Sequence, residues 1–413
     1  MITTSKINNI NTDQIKTFND DKKISIALMA FYVILMIQYF ILIFFNLETN
    51  VTSASRIQLI SKILVGVLFL YALPIVWKRS KVNFIVSYCI GVSLFSLHYL
   101  IFPENSIYIR DIIFPFFFMC LPAFVYSASL VDWNVLKIIM KRASHIVFMF
   151  GLILGILVFT GKISVGVYSM PLSYYMLLPA VIYLDELFSK PSLKDLILVI
   201  ISFLIILALG SRGAILCIGM FIFLKIIRLD LKQNLTTSLF NLLLIGSTIL
   251  IILYFGSILE YINNILLNFG IRSRSIYLFL GKDIHLGGRD LVYQNIIKGI
   301  LDKPYIGMGL AGDRRINGGG YAHNLLLEIL ADYGIVLGTI LIVSLVFLIV
   351  KYLFIKDKEI YNMYIIWLSL GFVHFMVSGS YLIDLRFWIL MGLIANLSIG
   401  EKNKTNMIWP KKG

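Results

Sequence analysis

Long uncharged apolar runs recur along this chain, and they constrain its fold more than any other feature of the sequence. A helix needs roughly 20 apolar residues to cross the hydrocarbon core of a bilayer, where the backbone must satisfy its own polar groups. Runs suited to such helices fall at 24–47, 57–77, 82–102, 107–130, 144–160, 164–184, 194–210, 213–229, 235–256, 335–354, 361–378 and 382–399. With 59% hydrophobic and 14% charged residues, a water-soluble globule of 413 residues has no use for so much apolar surface. The expected architecture is all-α, a polytopic membrane protein of about twelve transmembrane helices.

The basic residues test this list independently. If the N-terminus lies inside and the spans alternate, the cytoplasmic segments hold 22 of the 36 lysines and arginines, while the short outer loops hold only Arg56, Arg110, Lys162 and Arg212. That bias is the positive-inside pattern. The net charge of +14 is therefore a topology signal, and nucleic acid is excluded as a partner. The reading divides the chain into a cytoplasmic tail (1–23), helices one to nine (24–256), an extracytoplasmic loop (257–334), helices ten to twelve (335–399) and a second cytoplasmic tail (400–413). The protein is expected in a plasma membrane with both termini cytoplasmic. The polar first twenty residues do not resemble a cleavable signal. Val135–Arg142 is amphipathic and is expected along the cytoplasmic surface. Cys89, Cys120 and Cys217 sit inside apolar runs without metal-ligand spacing and read as small hydrophobes.

The loop at 257–334 breaks the charge pattern, carrying eight basic residues against five acids up to residue 322. Its stretches Ile258–Phe269 and Asp290–Leu301 suit helices lying on a membrane surface. A loop of this length is either functional or disordered, and its apolar patterning favours function.

Three short segments carry chemistry. Gly210-Ser211-Arg212-Gly213 makes a tight outer turn that holds Arg212 near the interface, where it either snorkels to lipid phosphate or binds a substrate anion. Gly287-Gly288-Arg289-Asp290 opens a loop helix; Arg289 is either solvated at a cap or aimed at a phosphate, for which its planar fork is suited. Gly318-Gly319-Gly320-Tyr321-Ala322-His323-Asn324 ends the loop, with Asn324 as the N-cap of the next helix. A neutral His323 there is placed to act as a general base, against the commoner structural role of a lone histidine. His98, His145, His285 and His374 read as structural. Arg110-Asp111 and Asp384-Leu385-Arg386 each place two charges near the membrane, either paired internally or lining a polar site. The Gly-x-Gly-x-x-Gly run at 307–312 lacks the strand and helix a dinucleotide site needs and reads as a turn. No metal-ligand cluster appears.

Together these features resemble the O-antigen ligase and polysaccharide polymerase family. The likeness rests on the Ser211-Arg212-Gly213-Ala214 turn between two spans and the long outer loop with Arg289, Pro304, Gly307, Gly309 and His323-Asn324. Glu328 and Gly334 follow, so that roughly residues 205–345 are covered. Tyr293 stands where the family often has a tryptophan. The resemblance implies a GT-C-like glycosyltransferase that needs no metal, cofactor or nucleotide sugar. It would act on glycans carried by undecaprenyl diphosphate at the outer membrane face and pass them to an acceptor glycan. Arg212 and Arg289 would then neutralise the diphosphate, His323 would activate the acceptor hydroxyl, and Arg314, Arg315, Arg386, Asn324 and Arg110 would assist in binding. A repeat-unit polymerase is the leading expectation, working beside a chain-length regulator and a flippase. A ligase acting on lipid A core or protein is the alternative in the same class. A polysaccharide flippase or transporter would show repeated halves and charges at the bilayer midplane, and the sequence shows neither.

Overall fold

The computed structural model describes residues 2–47, 51–160, 169–209, 211–228, 235–268, 270, 276, 280–281 and 289–408. Its early helices are α1 (Ile2–Phe44), α2 (Val51–Ile101), α3 (Ser106–Pro115), α4 (Leu121–Ala128), α5 (Trp133–Phe159), α6 (Ser169–Ser189), α7 (Leu193–Leu209) and α8 (Arg212–Ile227). They are followed by α9 (Leu235–Leu253), α10 (Phe255–Asn268), α11 (Arg289–Asp302), α12 (Gly312–Ile316), α13 (Leu325–Tyr352), α14 (Lys358–Leu368), α15 (His374–Val377) and α16 (Leu385–Ile408). No strand occurs among the described residues.

Six described helical segments are long and apolar enough to cross a membrane: Asp13–Phe44, Thr52–Ile101, Pro103–Ala128, Trp133–Val158, Leu325–Tyr352 and Lys358–Val377. The protein is thus a polytopic membrane protein, all-helical among the described residues. Thr52–Ile101 carries two of the apolar runs in one continuous stretch, broken at Ser80 (φ −141°, ψ 38°) within the polar Lys78–Lys81 segment. The helices α7 and α8, on two more of the runs, are only 17 and 16 residues long.

The structure differs from expectation at Val135–Arg142, which is the beginning of the continuous helix α5 rather than a separate surface element. No proline or glycine interrupts residues 133–150, so nothing terminates the helix where its polar stretch gives way to the apolar one. Helix α13 starts at Leu325, directly after the expected cap Asn324, and breaks at Gly334 (φ 76°, ψ 178°), just before the apolar run that begins at 335.

By contacts the chain divides across, rather than along, its length. One compact unit comprises Met1–Leu28, Val65–Ile139 and Gly287–Gly413; the other comprises Met29–Leu64 and Met140–Leu286. In the first, α4 and α16 approach closely because Gly392 has no side chain: a Cβ there would lie 2.0 Å from Ser127 Oγ and 2.2 Å from the Phe124 carbonyl oxygen. Small residues serve this purpose between membrane helices, where packing replaces the hydrophobic effect. Asn396 of α16 donates to the carbonyls of Ala128 (2.9 Å) and Leu130 (2.7 Å), satisfying acceptors left open at the end of α4. Asp21 takes the Arg79 guanidinium at 2.5 Å and the Asp132 amide at 2.9 Å.

The second unit packs α6 against α7 and α8. Its buried Lys225–Asp185 pair, 2.5 Å apart, and the Lys141–Glu186 pair at 2.7 Å tie α8 and α5 to α6. Leu207, Leu259, Leu266 and Ile276 form an apolar cluster in the same unit.

Candidate functional site

The site is built within the first unit, from α11 through the start of α13 and the turn before α16. Ile296 and Ile300 of α11 pack with Met308, Ala322 and Ala331, giving the polar segment an apolar floor. Gly307 and Gly309 adopt φ of 70° and 78°, in the left-handed region that glycine alone enters without cost. The break at Gly334 exchanges one helical bond for two outside contacts. The Ile335 amide donates to Pro304 O at 2.7 Å, and Ala331 O, which it would otherwise have bonded, accepts the Met308 amide at 2.6 Å. The glycine run at 307–312 is therefore a docking turn. Asn105 fastens it further, its side-chain nitrogen donating to Met308 O (2.8 Å) and Leu310 O (3.1 Å), while His98 Nδ1 accepts the Leu310 amide at 3.0 Å.

Above that floor lies a buried polar network that the sequence did not reveal. Arg314 donates to Ser380 Oγ at 2.8 Å, and Nη1 of Arg314 lies 3.5 Å from Asp313 and 3.7 Å from Glu328. Ser380 in turn donates to Glu328, whose other oxygen accepts the Tyr381 amide at 3.2 Å. The Tyr381 hydroxyl donates to Asp332 at 2.6 Å. Asp313, Glu328 and Asp332 are all fully buried. Burial pushes the Asp313 carboxyl up, with the Arg314 charge pulling against it. The signal available in the sequence was the pair Glu328 and Asp332, two carboxylates one turn apart on an otherwise apolar helix.

His323 sits beside this network, half-buried, in the left-handed region at φ 55°. Its neighbours are held on both sides. The Ala322 amide donates to Asp313 at 2.9 Å, and Asn324 caps α13 by accepting the amides of Leu326 (3.0 Å) and Leu327 (3.1 Å) while donating to Met376 O at 3.2 Å. The Tyr321 ring lies 4.2 Å from the imidazole, centroid to centroid, and the Arg314 guanidinium lies 5.9 Å from the same tyrosine ring. Burial, and after it the charge of Arg289, pushes His323 down to about 4, so the imidazole is neutral at ordinary pH. Arg289 opens α11 and donates to the carbonyl of Val377, the last residue of α15. Burial is also the main cause of the raised Tyr321 hydroxyl.

The structure thus brings Arg289, Arg314, His323 and Asn324 together. Arg314 is spent on internal acceptors, and Asn324 on capping. Arg315 donates to Asn105 Oδ1 at 2.9 Å. Arg386, nearly buried, is held by Asp384 through bonds of 2.9 and 2.5 Å, the internal pairing the sequence allowed. Arg110 is exposed and reaches the Tyr99 hydroxyl at 3.3 Å instead of pairing with Asp111. Arg212 belongs to the other unit, where it starts α8 behind the cap of Ser211, whose Oγ accepts the Ala214 amide. Gly210, Gly287, Gly288 and His285 lie outside the described residues, as do Arg272, Arg274 and Lys282. No group of three or more histidines, cysteines or carboxylates suited to a metal occurs among the described residues.

No curated protein and no solved structure matches the chain. Residues 197–343 match the family model described as O-antigen ligase. The matched stretch contains Arg212, Arg289, His323, Asn324 and Glu328, the residues on which the resemblance rested. Over this segment the chain is similar to the O-antigen ligase family.

Proposed function

We propose that this protein is a repeat-unit polymerase, moving glycan from undecaprenyl diphosphate to an acceptor glycan at the outer face of a bacterial plasma membrane. One observation carries the reading: a neutral imidazole, His323, is held in a strained backbone conformation beside an arginine at a helix start, Arg289. In the transfer, the acceptor oxygen bonds to the anomeric carbon. The bond from that carbon to the diphosphate breaks with its electron pair, and the hydroxyl proton passes to His323. Arg289 neutralises the charge that develops on the departing diphosphate, which is the interaction that strengthens in the transition state. A diphosphate next to Arg289 offsets its charge and lifts the basicity of His323 once substrate is bound. Both termini are cytoplasmic in this reading, and no metal takes part. Arg315 and Arg110, less buried than Arg314 and Arg386, are the further candidates for the anionic headgroup.

The description of the matching family favours a second reading, a ligase that transfers finished glycan to lipid A core or protein. Cells carrying His323→Ala or Arg289→Ala decide between them when their surface glycan is separated on gels. A dead polymerase leaves single repeat units attached to the acceptor, whereas a dead ligase leaves long chains on the lipid carrier. Normal long attached chains from properly inserted variants reject both readings.

A further inference from the structure

His323 sits in a backbone conformation that few non-glycine residues adopt. A side chain at φ 55° is strained and persists only where the surroundings over-determine it. Three groups do so here. Asp313 fixes the peptide on the N-terminal side by accepting the Ala322 amide, and Asn324 fixes the C-terminal side as the helix cap. The ring itself meets Tyr321, which is tilted 46° against it at 4.2 Å. Tyr321 cannot drift, because Arg314 lies over its ring and is tethered to Ser380 and flanked by Asp313 and Glu328. The three glycines before it leave the chain free to follow: Gly318 and Gly319 have no atom within 4 Å of a built Cβ.

We infer that Tyr321 is a positioning residue for His323, its ring setting the orientation of the imidazole while Asp313 sets the backbone that carries it. The inference rests on the reading of His323 as the base. An aromatic ring suits the task because offset and tilted ring contacts have a defined geometry that an aliphatic contact lacks. The hydroxyl of Tyr321 has no part in it. The groups facing the imidazole are Tyr321 from the glycine-rich turn and Arg289 from α11, with Arg314 on the tyrosine ring.

The test uses the full-length chain in lipid nanodiscs, with Tyr321→Phe and Tyr321→Leu. The imidazole of His323 is titrated by NMR on histidine labelled at Cε1, its signal identified by its loss in His323→Gln. The phenylalanine variant should keep the midpoint of the parent and turn over within about two-fold of it. The leucine variant should shift the midpoint upward, toward the ordinary histidine value, and lower kcat by about 10–100-fold at little-changed KM, the cost expected of a misplaced group. Unchanged titration and unchanged kcat in the leucine variant overturn the inference, and so does a phenylalanine variant as impaired as the leucine one. If Tyr321→Leu does not fold, Tyr321→Trp, which keeps an aromatic face, must titrate closer to the parent than Tyr321→Met does, and equal behaviour of the two overturns it. The base role is judged separately, by the activity of His323→Gln, so that failure of that reading leaves the titration result standing.

Discussion

Glu328 and Arg314 face each other inside the protein with 3.7 Å between Oε1 and Nη1, and the hydroxyl of Ser380 bridges them. Fourteen residues and a glycine-rich turn separate them along the chain. Their meeting fastens the segment between α11 and α13 to the start of α13 and to the turn before α16.

Removing one partner of such a pair strands the other without water. Glu328→Ala should cost about 3–5 kcal/mol. Glu328→Gln, which still accepts from Ser380 or Tyr381, should cost less. Denaturation of the detergent-purified variants measures both, and equal stability of Glu328→Ala and the parent would contradict the network.

The glycines are predicted to separate into two classes. Gly334 has φ 76° and a built Cβ would sit 2.6 Å from Tyr305 O, whereas Gly318 has φ 60° and open space around it. Gly318→Ala should therefore cost only about 1–2 kcal/mol of backbone strain. Gly334→Ala must also push the docking turn away, and should sharply reduce the yield of folded protein. Comparison of the two by size-exclusion profile checks the ranking.

At His323 the backbone strain and the chemistry can be separated. His323→Gly and His323→Ala both remove the imidazole, yet glycine accepts φ 55° and alanine does not. The glycine variant should be the more stable of the two, but only by a few tenths of a kcal/mol to about 1 kcal/mol, because the freedom its unfolded chain gains offsets part of the relieved strain. Thermal unfolding of both in the same detergent reads the difference.

The pH dependence follows from the neutral imidazole. His323 is lowered to about 4 by burial and by Arg289, so its neutral form stabilises the fold fully above the unfolded value of about 6.5. That contribution is lost as pH falls from there toward 4. Arg289→Gln removes the second cause and should move the midpoint of His323 upward. A midpoint that stays in place, followed by NMR titration, would exclude the influence of Arg289.

Much of the local structure was legible. Asn324 was recognisable as a cap because an asparagine before Leu325-Leu326-Leu327-Glu328 has an obvious use for its side-chain oxygen, and the cap is there. The helix opened by Arg289 and the pairing of Asp384 with Arg386 were also readable, since each depends on residues close in sequence. Arg314 was not. As a loop arginine it looked available to a substrate, and only the arrival of Ser380, 66 residues on, shows where its charge is spent. Tyr381 and Asp332 escaped notice for the same reason, being 49 residues apart and individually ordinary.

The sequence by itself determined that this is a helical membrane protein and where its helices start and are capped, because hydropathy and helix capping act over a few residues and are written in local composition. Only the tertiary structure decided which charges remain outward and which are buried against one another. That choice depends on which helices meet, and burial makes it binding: a charge removed from water must find its partner wherever the fold has placed one.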